Sequence, residues 1–373
     1  MKFMHLGDLH LGKRVHEYSM LENQRDILEK ILEISIRENI DGMLIAGDIY
    51  DKTIPGAEAV ELFDNFLTSL AARKVQTFII SGNHDSPERI AYGARIMKKQ
   101  GIYLSEVFKG AVEPIVLNDD YGELAIYMLP FIKPVQVKHY YKDVQVETYQ
   151  EAVAQVLSTL QVDRTRRNIL LTHQSVGSGE TEECAGGTEF IDYRLFEEFD
   201  YTALGHLHRP HCVGRNTVRY SGSPLKYSFS EAEHEKTVTI VEFLEKGTIN
   251  ITEKPLLPKY DMREIKGPIE RLTDPTVYAG TNLQDYMHVT LTNEEEILDA
   301  IGKIRAVYKN VMWLDFDNRN IYTGQNAEML ADMEKYSPIE LFEQFYKEQN
   351  GCPLSEEQKQ LAETYLQEGG STV

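Results

Sequence analysis

Five short clusters of aspartate, asparagine and histidine, each placed where an apolar run stops, constrain this chain of 373 residues more than any other feature. Asp8-Leu9-His10 follows the run 2–7, and Gly47-Asp48-Ile49-Tyr50-Asp51 follows 42–46. Gly82-Asn83-His84-Asp85 follows 76–80, Thr172-His173 ends 168–172, and Gly205-His206-Leu207-His208 follows 201–204. In α/β sheets the loops beyond the carboxyl ends of strands form the ligand crevice, so clusters remote in sequence can converge on one rim. Carboxylate, imidazole and amide oxygen are the donors of a hard or borderline divalent-metal site. Extended chain projects Asp8 and His10 to one side, and likewise His206 and His208. Glycines 7, 47, 82 and 205 let the backbone turn sharply before each ligand. A lone histidine is more often a surface or satisfied core residue, which is the reading kept for His139, His211, His234 and His288, and for His16 as a ligand. Five clusters in order, each at a strand end, are not explained that way.

The spacing of apolar residues supplies the frame. Residues 23–38 carry Ile27, Leu28, Ile31, Leu32 and Ser35 at helical period, and 57–72 predicts a helix with Val60, Phe63, Phe66, Leu67 and Leu70 inside. Strand, helix, strand, helix, strand implies a parallel sheet. Further strands are expected at 124–129, 168–172, 201–204, 218–221 and 237–243. The expected fold class is therefore α/β: a sandwich of two sheets flanked by helices. Lys254-Pro255-Leu256-Leu257-Pro258-Lys259 looks like a linker, so a first domain spans 1–254. A small α+β domain spans 255–330, with strands 260–265, 286–291 and 311–316 and a helix 294–308 carrying Ile297, Ile301 and Ile304. Residues 331–373 form a helix-loop-helix tail: Ser337-Pro338-Ile339-Glu340 and Ser355-Glu356-Glu357-Gln358 are capping boxes, the first with proline at the first helical position.

Composition narrows the function. Hydrophobic content of 42% and charged content of 26% are those of a globular protein. No apolar run reaches the ~18 residues of a membrane span, and the N-terminus lacks the apolar core of a signal peptide. Cys184, Cys212 and Cys352, odd in number and far apart, point to a reducing compartment, and the chain is expected in the cytoplasm. A net charge of -20 argues against gripping nucleic acid by general electrostatics. A DNA substrate would need positive charge from metal ions, local basic loops or a partner.

Taken together, Asp8-x-His10, Gly47-Asp48-x-x-Asp51, Gly82-Asn83-His84-Asp85, His173 and Gly205-His206-x-His208 resemble the complete signature of the calcineurin-like metallophosphoesterases. The resemblance implies a β-sandwich with flanking helices and a two-metal centre. One ion would be held by Asp8, His10, Asp48 and His208, and the other by Asp48, Asn83, His173 and His206, with Asp48 bridging. His84 would face the scissile phosphate as a catalytic group and not as a ligand. Two ions roughly 3.5–4 Å apart clamp a phosphate and activate a water. His84 would stabilise the developing charge or protonate the leaving group, with Asp51 orienting its ring and Asp85 either capping or bracing its loop.

The runs 3–12, 82–89 and 222–229 (Gly222-Ser223-Pro224-Leu225-Lys226-Tyr227-Ser228-Phe229) are similar to the SbcD family of bacterial nuclease subunits, relatives of the meiotic-recombination nuclease. That resemblance implies a homodimer, manganese dependence and an SbcC-type coiled-coil ATPase partner. It also implies exonuclease action on duplex DNA ends and endonuclease action on single strands or hairpins. The domain 255–330 resembles that family's capping domain, and 331–373 its partner-binding tail. Candidate DNA contacts are Lys13, Arg14, His16, Lys52, Ser86 and Arg89, on loops beside the clusters. Candidate partner contacts are Ile339, Phe342, Phe345 and Tyr346 on the first tail helix, and Leu361, Tyr365 and Leu366 on the second, beside Ala362. The dimer is expected through 57–72 and 90–99. The alternative within the same chemistry is a phosphomonoesterase or cyclic-nucleotide phosphodiesterase, which the acidic surface favours slightly. The added domain and tail do not favour it, because a small substrate needs neither.

Overall fold

Gly42–Ala46 (Gly-Met-Leu-Ile-Ala) is buried at every position. A strand without a polar face can only lie centrally in a sheet covered on both sides. The computed structural model, which describes residues 1–178, 190–295, 297–317, 337–350, 353–355, 358–359, 361–362 and 365, places it there. The first of two six-stranded sheets runs Ile249–Pro255, Thr237–Phe243, Lys2–Leu6, Gly42–Ala46, Gln76–Ile80, Ile102–Leu104. Its last four strands are mutually parallel, so the first three ligand clusters leave one rim. The second runs His211–Val213, Arg215–Tyr220, Tyr201–Gly205, Arg167–His173, Gly122–Leu129, Ile115–Asp119. Tyr201–Gly205 and Arg167–His173 are parallel, with Gly205 opposite His173.

Phe3, Leu44, Phe78, Ile126, Leu171, Tyr201 and Phe243 fill the space between the sheets. Alternation sends Met4 and Leu6 to the other face, where they meet helices Leu21–Arg37 and Ala57–Ala72. Helix Tyr149–Ser158 packs Val153 and Val156 against the outer face of the second sheet. This is the expected α/β sandwich flanked by helices.

Several local expectations are corrected. Val60 is 43% exposed, while Leu62 takes the buried position. The expected helix 90–99 is broken into Pro87–Ile90 and Ala94–Met97 by Gly93 at φ 74°, a left-handed residue that no continuous helix contains. The helix expected from 294 begins at Ala300, directly after left-handed Asp299. The expected linker starts inside an edge strand: Pro255 pairs opposite Thr237, at the sheet margin where a missing N–H costs nothing.

Met262–Gly267, Tyr286–Leu291 and Asn310–Phe316 form a three-stranded sheet with the second strand central. By compactness the chain divides into one unit of Met1–Ile265, Gly280–Val289 and Arg305–Trp313, and another of Lys266–Ala279, Thr290–Ile304 and Leu314–Val373. In the second unit both capping boxes form: Ser337 and Glu340 bond reciprocally, as do Ser355 and Gln358. The Gln358 amide reaches the Tyr346 hydroxyl (3.3 Å) and Lys359 reaches Glu343 (2.7 Å). Leu366, Cys184, Cys352 and the side chain of Phe345 lie outside the described residues. Among the described residues no helix is long and apolar enough to cross a membrane.

Candidate metal centre

The rim where the two sheets meet collects every residue the sequence singled out as a ligand. The Nδ1–H of His173 donates to the carbonyl of Ala46 (2.7 Å), leaving Nε2 2.9 Å from Asn83 Oδ1 and 3.5 Å from Asp48 Oδ2. His206 Nδ1 lies 3.0 Å from the same Asn83 oxygen. On the other side of Asp48 Oδ2, at 3.7 Å, is His10 Nε2, which faces His208 Nε2 at 3.1 Å. Asp8, His10 and His208 form one compact donor group, and Asp8, Asp48 and His173 another. Asp48 therefore sits between the two halves of the cluster.

The close approach of these loops depends on absent side chains. A Cβ at Gly205 would collide with the Ala46 carbonyl, one at Gly82 with the Asp48 carboxylate, and one at Gly47 would lie 2.7 Å from His173 Nδ1. Of the four glycines expected to turn the chain, only Gly47 is left-handed, at φ 85°. Ligand positions themselves carry the strain: Asp8 (φ 55°), His10 (43°), Asp48 (49°) and His206 (111°). Left-handed non-glycine residues cost on the order of 1–3 kcal/mol each and persist where surrounding bonds over-determine them. Here Asp8 N–H donates to Gly47 O (3.0 Å), His10 N–H to Asp48 O (2.9 Å), and the Asp8 carboxylate accepts the His206 N–H (3.0 Å). Asp8 and His10 thus converge through left-handed turns and not through strand alternation.

Charge tests whether this cluster suits divalent ions. Asp8 is fully buried and Asp48 nearly so. Burial raises the Asp8 carboxyl. For Asp48 burial acts the same way, but the His173 and His10 rings outweigh it and hold the carboxyl low. Burial keeps His10 well below its ordinary value and His206 at about 4, so both rings stay neutral with lone pairs available, the form that ligates a metal. His173 alone goes the other way. Burial lowers it, yet Asp48 and Asp8 outweigh burial and raise it to about 9. Two buried carboxylates draw positive charge onto the His173 ring, and cations would supply that charge directly. Carboxylates, neutral imidazoles and an amide oxygen within hydrogen-bonding reach fit divalent ions.

The remaining expectations divide. Asp85 braces its loop: its carboxylate accepts the N–H groups of Gly82 (2.9 Å), Ile49 (3.1 Å) and Tyr50 (3.0 Å), tying the second cluster to the third. His84 is exposed beside His10, and its backbone N–H donates to Asp48 Oδ1 (2.8 Å). Its Nδ1–H donates to the main-chain carbonyl of Asp51 (3.0 Å), not to the carboxylate. That carboxylate is held by Lys13 (2.8 Å) and lies 3.9 Å from His10 Nδ1, because an ammonium is its stronger partner. Among the candidate DNA contacts, Lys13 is therefore engaged. Ser86 caps Pro87–Ile90 and donates to Glu88 (2.9 Å). Arg14, His16, Lys52 and Arg89 are exposed.

Sequence reasoning missed the support beneath His208. Glu231 Oε1 accepts from His208 Nδ1 (3.0 Å), and Glu231 Oε2 accepts from Lys236 Nζ (2.6 Å), which also reaches His208 O and Ser223 Oγ. Burial by itself raises Glu231, but the His208 and Lys236 bonds outweigh it and hold the carboxyl at about 2. In Ser230-Glu231-Ala232-Glu233-His234-Glu235-Lys236 nothing local distinguishes Glu231 from its acidic neighbours. Carboxylates behind a ligating imidazole fix its tautomer, and their loss typically weakens metal binding ~10–100-fold. Glu231→Gln is expected to weaken the binding of one ion by about that factor in calorimetric titration. Unchanged affinity would reduce the contact to a brace.

The family model for calcineurin-like phosphoesterases matches residues 1–210, and that for the type 5 capsule protein repressor C-terminal domain matches 258–350. The SbcD component of the nuclease SbcCD from Staphylococcus epidermidis is 31% identical over 369 residues, covering 96% of each chain. A dimetal phosphatase from Danio rerio is a structural neighbour at 13% identity, covering 69% of this chain and 96% of that one, with a TM-score of 0.42. A calcineurin-like phosphoesterase from Bacillus subtilis is 15% identical, covering 69% and 90%, with a TM-score of 0.36. Neither structural likeness adds weight at such scores. With the ligand rim in place and similarity running the length of the chain, the protein belongs to the calcineurin-like metallophosphoesterases, and within them to the SbcD family of nuclease subunits.

Proposed function

We propose that the chain is the DNA nuclease subunit of a two-component machine, cutting duplex ends as an exonuclease and single strands or hairpins as an endonuclease. Its work would lie in DNA repair, recombination and replication in the cytoplasm. The observation that carries this reading is the rim of six donors around Asp48, in a chain similar over 96% of its length to a nuclease subunit. Asp8, His10, Asp48 and His208 would hold one ion, and Asp48, Asn83, His173 and His206 the other, both manganese. When bound, such ions would supply charge to the phosphate and an activated water. The protein's own part is orientation. Ala46 O and Glu231 fix the tautomers of His173 and His208 so that Nε2 points inward. His84 donates Nδ1–H to Asp51 O, and in its doubly protonated form its Nε2–H would give a proton to the leaving oxygen or stabilise its charge. Exposed Arg14, His16, Lys52 and Arg89 meet flanking phosphates, with Lys13 and Ser86 behind them.

In this reading residues 1–254 are the nuclease domain, 255–330 the capping domain and 331–373 the partner-binding tail. Exposed Ile54, Val60, Tyr92 and Ile96 support a homodimer through this part of the nuclease domain, since helices with apolar outer faces pair across two-fold axes. Sedimentation as a monomer at micromolar concentration would remove it. In the tail Phe342 (39%), Leu361 (59%) and Tyr365 (67%) are exposed, and nine acidic against three basic residues give 331–373 a net charge of -6. Apolar anchors with acidic flanks suit a basic stretch of an SbcC-type coiled-coil ATPase. The test is manganese-dependent hydrolysis of a linear duplex and of a nucleotide monoester, with and without the ATPase and ATP. Duplex is expected to be cut in preference. A chain ending before Tyr336 is expected to keep nuclease activity and lose co-purification with the ATPase. Preference for the monoester would favour the small-substrate alternative, and a truncated chain that still captures the ATPase would refute the tail assignment.

A further inference from the structure

His10 differs from two other histidine donors in how its ring is steered. Nδ1 of His173 is tied to Ala46 O and Nδ1 of His208 to Glu231. His10 turns Nε2 toward His208 and Asp48, and its Nδ1 has no hydrogen-bond partner among the described residues. The Asp51 carboxylate stays 3.9 Å away. The direction of the ring must therefore come from its own main chain and from packing. That main chain is left-handed, at φ 43°, a conformation that persists only where neighbouring bonds hold it.

Those bonds converge on Gln24, a buried residue in the first turn of the helix Leu21–Arg37. Its Nε2 donates to His10 O (2.7 Å), and its Oε1 accepts the N–H of Gly12 (3.0 Å). One side chain thus grips the turn on both sides of Leu11. Nε2 also lies 3.1 Å from the Tyr227 hydroxyl, which itself donates to Leu9 O. The buried Tyr227 ring stands edge-on to His10 and to His208, with centroids 5.6 and 5.9 Å apart. A primary amide carries a donor and an acceptor on one planar head. A carboxylate keeps only the acceptor, and an apolar side chain keeps neither.

We propose that Gln24 is a positioning residue of the metal centre: it fixes the main chain at His10 and so aims Nε2, with Tyr227 behind it. The proposal rests on the two-ion reading above. Gln24 acts only through His10, so its loss bears on the ion assigned to Asp8, His10, Asp48 and His208. The ion assigned to Asp48, Asn83, His173 and His206 keeps its own supports. Groups that orient a ligand from behind typically carry ~10–100-fold in metal affinity.

The test is calorimetric titration of manganese into the metal-stripped full-length chain, beside its melting in EDTA. Gln24→Met keeps the length of the side chain and loses both bonds, and is expected to weaken one of the two binding steps about ten-fold or more while the other is unchanged. The manganese concentration that half-saturates hydrolysis is expected to rise by the same factor. Gln24→Glu keeps the acceptor for Gly12 and loses the donor to His10 O, and is expected to weaken the same step. Tyr227→Phe, which removes only the hydroxyl, is expected to weaken it less. Ser35→Ala removes a buried hydroxyl bonded to Leu32 O on the same helix and is the control for lost stability alone. It is expected to lower the melting temperature in EDTA and leave both steps as they were. If the Gln24 variants behave like that control, or weaken both steps equally, the proposal is overturned and the two-ion reading stands. Should Gln24→Met not fold, Gln24→Glu and Tyr227→Phe decide by the same criterion. If the unaltered chain takes up no manganese, the two-ion reading falls and the proposal with it.

Discussion

Asp48→Ala is expected to abolish hydrolysis, by about a thousand-fold or more, and to remove at least one of the two ions. One carboxylate lies between His10 Nε2 at 3.7 Å and His173 Nε2 at 3.5 Å, so its loss reaches both halves of the centre. The same substitution strips the His84 N–H of its acceptor. Even a fully buried unsatisfied donor costs only on the order of 1–3 kcal/mol, and this one is partly exposed, so the sandwich is expected to survive. Metal content by mass spectrometry, beside hydrolysis and far-ultraviolet dichroism, separates the outcomes. Two retained ions with near-normal turnover would refute the bridging role. A lost dichroism signal would show that the residue holds the fold and not only the centre.

The second large effect concerns a residue that ought to leave the metals alone. His84→Ala is expected to keep both ions and substrate affinity while kcat falls about 10²–10⁴-fold, as for a group acting in the transition state. The geometry supports the separation. His84 is exposed, its Nδ1 is committed to Asp51 O at 3.0 Å, and its ring packs edge-on to His10 with centroids 4.9 Å apart. One compact donor group does contain His84 with His10 and Asp48, so the competing role is concrete. If metal content falls with turnover, His84 is a ligand. Since Asp51 orients His84 through its main chain, Asp51→Asn is expected to disturb the ring far less than a carboxylate-imidazole pair would require.

That Asp8, His10, Asp48, Asn83, His173, His206 and His208 gather at one rim was legible in the sequence because ligand chemistry is unforgiving. Few residue types can hold a divalent cation, and each sat at the end of an apolar run that could only be a strand. The sandwich was legible for a related reason: runs such as Gln76–Ile80 and Thr237–Phe243 admit only a central, doubly covered position. Edges were less legible. Ile115–Asp119 and Ile249–Pro255 are half exposed and carry weak apolar signals. The helix Tyr149–Ser158 was missed although Thr148 and Glu151 form a capping box that the letters contain.

What the sequence determined by itself was the inventory of candidate ligands and the parallel strands that end at them, since both follow from residue chemistry and local periodicity. Tertiary structure alone decided how these parts meet. It placed the strain on Asp8, His10, Asp48 and His206 and left the glycines to clear space, because the carbonyl of Ala46 and the ring of His173 come from different sheets. It gave Lys13 the carboxylate of Asp51 and left His84 the carbonyl. It also chose Glu231 from a run of similar acids by burying it against His208 and Lys236. Each of these is a contact between segments remote in the chain, settled by which groups lose water together and must satisfy one another, and no local pattern encodes that.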